Sequence, residues 1–324
     1  MTRLSIVGGG PAATLHAEAS AAVAGVELVG VGGRPGSAGP LADAFGVDDA
    51  PLDVLISRAD AIVVAVPPDA VPGVLARVRP PVRVVLVESP VATAVGAASG
   101  PIDVPVMAGA NLLHAPTVRR ALRSIATMTT PHHLGLHSRG PAPDWGAHAT
   151  DRFGGGAMMD PGARLLPVLL AAAGAPVEEV AAQVSHHRGI DQRAALQLTL
   201  ADGRRATADI AWADGPAEAR LEVADANGAV LRDLLTRPGL EFDGRAVGPP
   251  DPDENPVVAL GFADQLRRLA AVARGDTEPW IDHRVGVGVL SVVNAAAAAA
   301  AADRGVAVGR VDPTRSPAAL LRTA

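Results

Sequence analysis

The sequence predicts an α/β protein with an N-terminal doubly wound sheet, followed by an α+β domain with a largely antiparallel sheet. Over the first third of the 324 residues, short runs rich in Val and Ile alternate with Ala/Leu-rich stretches. This is the pattern of parallel strands buried on both faces and joined by crossover helices. After Pro116 the runs lengthen, and hairpin-type turns such as Ala201-Asp202-Gly203 and Ala226-Asn227-Gly228 separate them. The length itself favours two packed domains, taken as residues 1–112 and 113–324.

In the first domain, strands are expected at 4–7, 26–31, 61–66, 82–87 and 104–108, with helices at 11–24, 40–45, 69–78 and 91–99. In the second, strands are expected at 125–137, 177–187, 194–200, 205–212 and 220–224, with a helix at 161–173. Helices 261–274 and 285–303 close the chain, the last packing back towards the first domain. Segment 139–156 reads as a long loop of the kind that borders a site; Asp144, Trp145, His148, Asp151 and Arg152 within it could cover a polar substrate.

Composition narrows the chemistry. A net charge of -6 with 48% hydrophobic and 19% charged residues describes a soluble globular chain and excludes disorder. Four Phe, three Trp and no Tyr, without a basic stripe, argue against a nucleic-acid partner. The absence of Cys removes disulfides and thiolate sites. All 28 basic residues are Arg, so Schiff-base chemistry and Tyr–Lys proton relays are excluded as well. The apolar N-terminal run breaks at Gly8, which argues against a signal peptide. The Ala-rich run 285–302 is diluted by Gly286, Gly288, Ser291 and Asn294 and is expected to be a buried helix, not a membrane span. A cytoplasmic protein with no membrane partner is expected.

Residues 5–13 read as a strand, a Gly-rich turn and a helix, matching G-x-G-x-x-A at Gly8, Gly10 and Ala13. Gly8 permits the tight turn, Gly10 lets a pyrophosphate approach the backbone, and Ala13 lets the helix sit close to the strand. The helix start at Pro11 and Ala12 then faces the phosphates. The second strand ends in Gly32-Gly33-Arg34-Pro35-Gly36-Ser37, without the acidic residue that binds a ribose 2′-hydroxyl. Arg34 and Ser37 suit a 2′-phosphate, so NADP is expected in preference to NAD.

These residues resemble the Gfo/Idh/MocA oxidoreductases. The resemblance is carried, in order, by the Gly-rich turn, by Val66-Pro67-Pro68-Asp69 at a strand end, by Glu88-Ser89-Pro90 and by Gly154-Gly155-Gly156-Ala157-Met158-Met159-Asp160-Pro161-Gly162, and it extends over 261–308. It implies a dinucleotide domain joined to an α/β domain whose open sheet makes a dimer or tetramer, and hydride transfer to or from a small polar substrate. It also implies cofactor contacts at Val66, Pro67, Glu88 and Asn111. The chain departs from the family pattern at Ser89, where the family has a catalytic Lys, and at Arg164, where it has a proton-carrying His. Asp160 alone of that trio is kept.

Asp160 and Arg164 lie four apart at the start of a predicted helix. They could hold a substrate over the nicotinamide, or Asp160 could cap the helix with Arg164 paired back to it. His114, placed near the nicotinamide by the resemblance, is a candidate acid-base group. His133 and His137 share a strand face and His186 and His187 end another strand; a metal there would need those strands to be neighbours, and none is expected. Two readings of function stay open. One is an NADP-dependent oxidoreductase of a carbonyl, hydroxyl, imine or conjugated alkene with a non-standard proton-transfer group. The other is a cofactor-binding protein that is no dehydrogenase, either a redox-neutral isomerase, lyase or cyclase or a regulatory pseudoenzyme.

Overall fold

The computed structural model describes residues 1–34, 36–93, 103–128, 133–143, 155–225, 228–248 and 254–308. The helix read at 91–99 falls mostly outside them, and Asp144, Trp145, His148, Asp151, Arg152, Ala226 and Asn227 fall wholly outside.

The first sheet is parallel, in the order β3 (Asp49–Pro51), β2 (Val26–Gly33), β1 (Thr2–Val7), β4 (Ala61–Val64), β5 (Val84–Glu88), β6 (Val106–Gly109). Its central strands read as continuous buried runs because helices cover both faces. Crossovers are α1 (Pro11–Ala21), α2 (Gly39–Phe45), α3 (Leu52–Arg58) and α4 (Val71–Leu75). The sequence reading missed β3 and α3, which are three and seven residues long and too short for a clear period. It also started a strand at residue 125. That stretch ends a helix instead, α6 (Pro116–Ile125), which follows the short α5 (Asn111–His114). Val118, Ala121, Leu122 and Ile125 form the buried stripe of α6, spaced as one helix face requires.

Among the described residues the second sheet has nine strands, among them β7 (His133–Gly140), β8 (Val177–His187), β9 (Ile190–Leu200), β10 (Arg205–Trp212) and β11 (Glu218–Ala224), in the order β11-β7-β10-β9-β8. β12 (Ala229–Arg232), β13 (Gly239–Phe242) and β14 (Arg245–Ala246) extend it beyond β11, and β15 (Val306–Ala307) edges β8. All pairings are antiparallel except β7 with β10. Alternation sets its two faces: Ala206, Ala208 and Ile210 of β10 are buried, while Arg205 and Thr207 are exposed. The buried face lies under α7 (Ala163–Ala173) and α10 (His283–Ala302). By length and composition α10 could cross a membrane, yet it packs along β8 and α7 and buries Val285, Val289, Leu290 and Val293. Gly286 permits that close approach, since a Cβ there would lie 2.5 Å from Val91 Cγ1.

Between the two sheets the chain doubles back. After α8 (Pro256–Ala259), α9 (Phe262–Arg274) packs on the first sheet, where Phe262, Leu266 and Leu269 share a core with Leu4, Ile6, Val63 and Leu86. Asn111 anchors this return by donating from Nδ2 to the Leu260 carbonyl at 2.9 Å. Gly261, at φ +83°, passes so close that a Cβ would sit 2.3 Å from the Asn111 oxygen.

Candidate functional site

The Gly-rich turn lies at the carboxyl ends of β1 and β4, where ligands of open α/β sheets bind. Gly8 has φ +139°, and a Cβ there would meet the Ala65 carbonyl oxygen at 2.2 Å. Gly9 is pressed as tightly against the Ser37 oxygen, at 2.1 Å. A Cβ on Gly10, by contrast, would meet nothing within 4 Å. Gly10 is the N-cap of α1, has no side chain to satisfy the first-turn N–H groups, and is followed by Pro11, which has none to satisfy. Ala13 is fully buried under the turn. The result is a cleft of about 420 Å³ lined by the three glycines, Gly33, Arg34, Ser37 and Val66. Open backbone donors at a helix N-terminus fit a pyrophosphate.

At the far wall, Arg34 is exposed and makes no ion pair among the described residues. Ser37 folds the loop beneath it, donating from Oγ to the Arg34 carbonyl at 2.7 Å. The nearby Asp49 carboxylate is turned away to accept the Ala38 N–H at 3.3 Å and does not line the cleft. The other cleft guanidinium, Arg77, is tied to Asp53.

At the end of β5, the Glu88 carboxylate points back into the domain. Its Oε1 is 2.6 Å from Nε2 of His16, a fully buried α1 side chain that the sequence reading passed over. The available signal was a lone polar ring on the buried face of α1, among Ala13, Ala17 and Ser20. Glu88 Oε2 also accepts the Ser89 N–H at 3.2 Å, and Ser89 Oγ donates to the Gly109 carbonyl at 2.9 Å. The carboxamide of Asn111 is engaged by Leu260. Neither Glu88 nor Asn111 lines the cleft.

Asp160 does not cap a helix. It sits in a wide turn, Met158–Gly162, with extended φ and ψ of -146° and 113°, and α7 begins only at Ala163 with Gly162 as its N-cap. The extended backbone moves Asp160 off the helix face, and among the described residues nothing pairs it with Arg164, whose buried Nε is unpartnered. Two groups hold the turn. Trp212 Nε1 donates to the Asp160 carbonyl at 2.8 Å, and Asp191, only 7% exposed, accepts the Met158 N–H at 2.8 Å on Oδ2. Burial pushes the Asp191 carboxyl up, against the pull of the Met158 N–H. Gly156 makes room for that carboxylate: at φ +115°, a Cβ would lie 1.7 Å from Asp191 Oδ1.

His114 is 3% exposed and does not line the cleft. Its ring meets Trp280 edge-on with centroids 4.9 Å apart. Burial, then the charges of Arg119 and Arg268, push its pKa down to about 3. A neutral, enclosed imidazole is a poor proton carrier, so the structure does not support the acid-base role expected of it. The sign for stability follows. The unfolded chain takes a proton at His114 below about pH 6.5 and the folded chain only near 3, so stability is full above 6.5 and falls as pH drops through that window. Between pH 7.5 and 5, His114→Phe should remove about 2 kcal/mol of acid-induced loss, read from urea midpoints of both proteins at each pH. An equal loss in the two proteins would show that His114 stays protonatable when folded. The paired-strand metal idea also fails on topology, because β10 and β9 separate the His133/His137 strand from the His186/His187 strand. Among the described residues no three His, Asp or Glu side chains cluster as a metal would require.

Residues 120–230 match the family model of the GFO/IDH/MocA C-terminal domain. This part of the chain is similar to the C-terminal domain of that family. The whole fold is shared with solved structures. One is GenD2 from gentamicin A biosynthesis, solved in complex with NAD, at TM-score 0.81 and 21% identity over 95% of this chain and 97% of that one. Another is the aldose-aldose oxidoreductase from Caulobacter crescentus, complexed with glycerol, at TM-score 0.80 and 18% identity over 94% and 99%. A third is UDP-N-acetylglucosamine 3-dehydrogenase from Acidithiobacillus ferrooxidans, at TM-score 0.76 and 18% identity over 93% and 98%. Comparison with curated proteins gives no match. Within the matched residues, Asp191 and Trp212 hold the Met158–Gly162 turn that carries Asp160, from positions far apart in sequence. Only Asp160 was singled out from the sequence.

Proposed function

We propose that the chain is an NADP-dependent oxidoreductase of the Gfo/Idh/MocA type, acting on a small polar carbonyl, hydroxyl, imine or conjugated alkene. The observation that carries this reading is the cleft at the start of α1, where Gly10 leaves the first-turn backbone donors without a side-chain cap and Arg34, without an ion pair among the described residues, stands at the far wall. The backbone at Gly10, Ala12 and Ala13 would hold the pyrophosphate, and the Arg34 fork with Ser37 would hold the 2′-phosphate. The nicotinamide supplies the hydride when bound. Asp160, whose backbone is fixed by Trp212 and by the Asp191-braced turn, would orient a polar substrate group through its carboxylate. Val66 and Pro67 would border the cofactor, and the open face of the second sheet, with its Arg193–Asp209 pair, is our proposed dimer or tetramer surface.

The redox-neutral or regulatory reading draws on a separate observation: Ser89 Oγ is spent on Gly109 and His114 is enclosed, so neither is free to move a proton. Titration with NADPH and NADH, followed by nicotinamide fluorescence, tests the cofactor. Arg34→Ser should weaken NADPH binding about 10–100-fold, the worth of one or two charge-assisted hydrogen bonds, and leave NADH nearly unchanged. GenD2 was solved with NAD. Tighter NADH binding by this protein would overturn the NADP assignment, and binding of neither would sink the oxidoreductase. If NADPH binds but no carbonyl, imine or enone is reduced, the redox-neutral reading gains.

A further inference from the structure

Away from the nucleotide cleft, α5, α6, α9 and the loop before α10 bring together His114, Arg119, Arg268 and Trp280. The Arg119 guanidinium carbon lies 5.2 Å from the centre of the Trp280 ring, and His114 meets the same ring edge-on. Arg268 donates from Nη2 to the Glu278 carbonyl at 2.9 Å, which fixes the fork without neutralising it. Among the described residues neither arginine has a carboxylate partner. Arg119 Nε, Arg268 Nε and His114 Nε2 are all buried without a hydrogen-bond partner.

Several other arginines contrast with this pair. Arg3, Arg58, Arg193, Arg232 and Arg274 each face an acid, as a chain with more acidic than basic residues readily allows. Burial, and then the charge of Arg119, hold Arg268 below the ordinary arginine range. Buried donors without acceptors carry a desolvation cost that an anion would relieve. Planar forks beside an aromatic ring match a tetrahedral oxyanion, which accepts from both at once.

We propose that Arg119 and Arg268, backed by Trp280 and His114, form a receptor for a phosphate group separate from the nucleotide cleft. None of these four residues lines that cleft, so the inference stands whether or not the cofactor assignment does. The phosphate could be free or part of a monoester. Trp280 gives a local probe: the chain has three tryptophans, so 5-fluorotryptophan labelling gives three fluorine resonances, with Trp280 assigned through Trp280→Phe.

The full chain would be titrated with inorganic phosphate, with glycerol phosphate, and with sodium chloride at matched ionic strength. A saturable shift of the Trp280 resonance is expected with the phosphates and not with chloride. The tighter of the two phosphates identifies whether the site takes the free ion or an ester. Arg119→Gln and Arg268→Gln should each weaken the response at least tenfold, and Arg34→Ser should leave it intact. A Trp280 resonance that does not move, or that moves equally with chloride, overturns the proposal. So does a response that survives both glutamine variants, or one lost in Arg34→Ser. Because the wild-type titration needs no variant to fold, the proposal stays open to refutation if either arginine proves essential for stability.

Discussion

Gly156→Ala should cost at least about 3 kcal/mol of stability and release Asp160. The added methyl would occupy the space of Asp191 Oδ1, which lies 1.7 Å from the ideal Cβ, and the φ of +115° is itself strained for any residue with a side chain. The strain alone is worth about 1–3 kcal/mol. Displacing the carboxylate then leaves the buried Met158 N–H without its acceptor, for about 1–3 kcal/mol more. Asp191→Ala loses that second part only. The double variant should therefore be more stable than the sum of the two singles by about 1 kcal/mol or more, since removing the carboxylate empties the space the methyl needs. Urea unfolding of the four proteins measures this coupling. Fluorescence of Trp212, which holds the Asp160 carbonyl, reports whether the turn has moved. Strict additivity would mean that Asp191 and Gly156 are not packed as described.

The second large effect separates two glycines of one turn. Gly8→Ala forces a Cβ to within 2.2 Å of the Ala65 carbonyl oxygen at φ +139°, and backbone cannot swing aside as a side chain can. A loss of about 3 kcal/mol or more is expected. Gly10→Val is the converse. Gly10 has φ -90° and ψ -174°, ordinary extended backbone, and its Cβ direction is open. Because valine caps a helix start less well than glycine, stability should fall by about 1 kcal/mol, well short of the loss in Gly8→Ala. The valine methyls would nonetheless stand where a pyrophosphate must approach, so NADPH affinity should fall by about 100-fold or more, roughly 2.7 kcal/mol. Calorimetric unfolding and nicotinamide fluorescence read the two effects separately. Normal NADPH binding by a folded Gly10→Val protein would remove the cleft from the mechanism.

What the sequence made legible follows the range of the interactions. The doubly wound half was readable because each strand is a buried, β-branched run and each turn is local: Gly8, Gly10 and Ala13 declare their roles within six residues. The hairpin at Ala201-Asp202-Gly203 and the strand Arg205–Trp212 were readable for the same reason. The helix at Pro116–Ile125 was missed, and its last residue was read into a strand because Ile125 and the threonines after it are β-branched. The partnerships at the site were out of reach. Nothing local tells that His16 meets Glu88, that Asp191 braces Met158 or that Trp212 holds Asp160, since each pair forms only when the chain is folded. Asp160 itself was found, but its expected capping role assumed a helix that starts two residues too early, in a stretch bent instead into a wide turn.

The return of Phe262–Arg274 to the first sheet bears on how the protein is made. A ribosome delivers all six strands of that sheet long before it delivers α9. Until then Leu4, Ile6, Val63 and Leu86 lack the cover that Phe262, Leu266 and Leu269 provide. The nascent N-terminal third therefore waits, with a greasy flank bare, while most of the second sheet is being synthesised. Holding such a half-dressed sheet is work suited to chaperones that bind emerging chains, and a chain released before residue 262 would carry an adhesive surface in place of a finished domain.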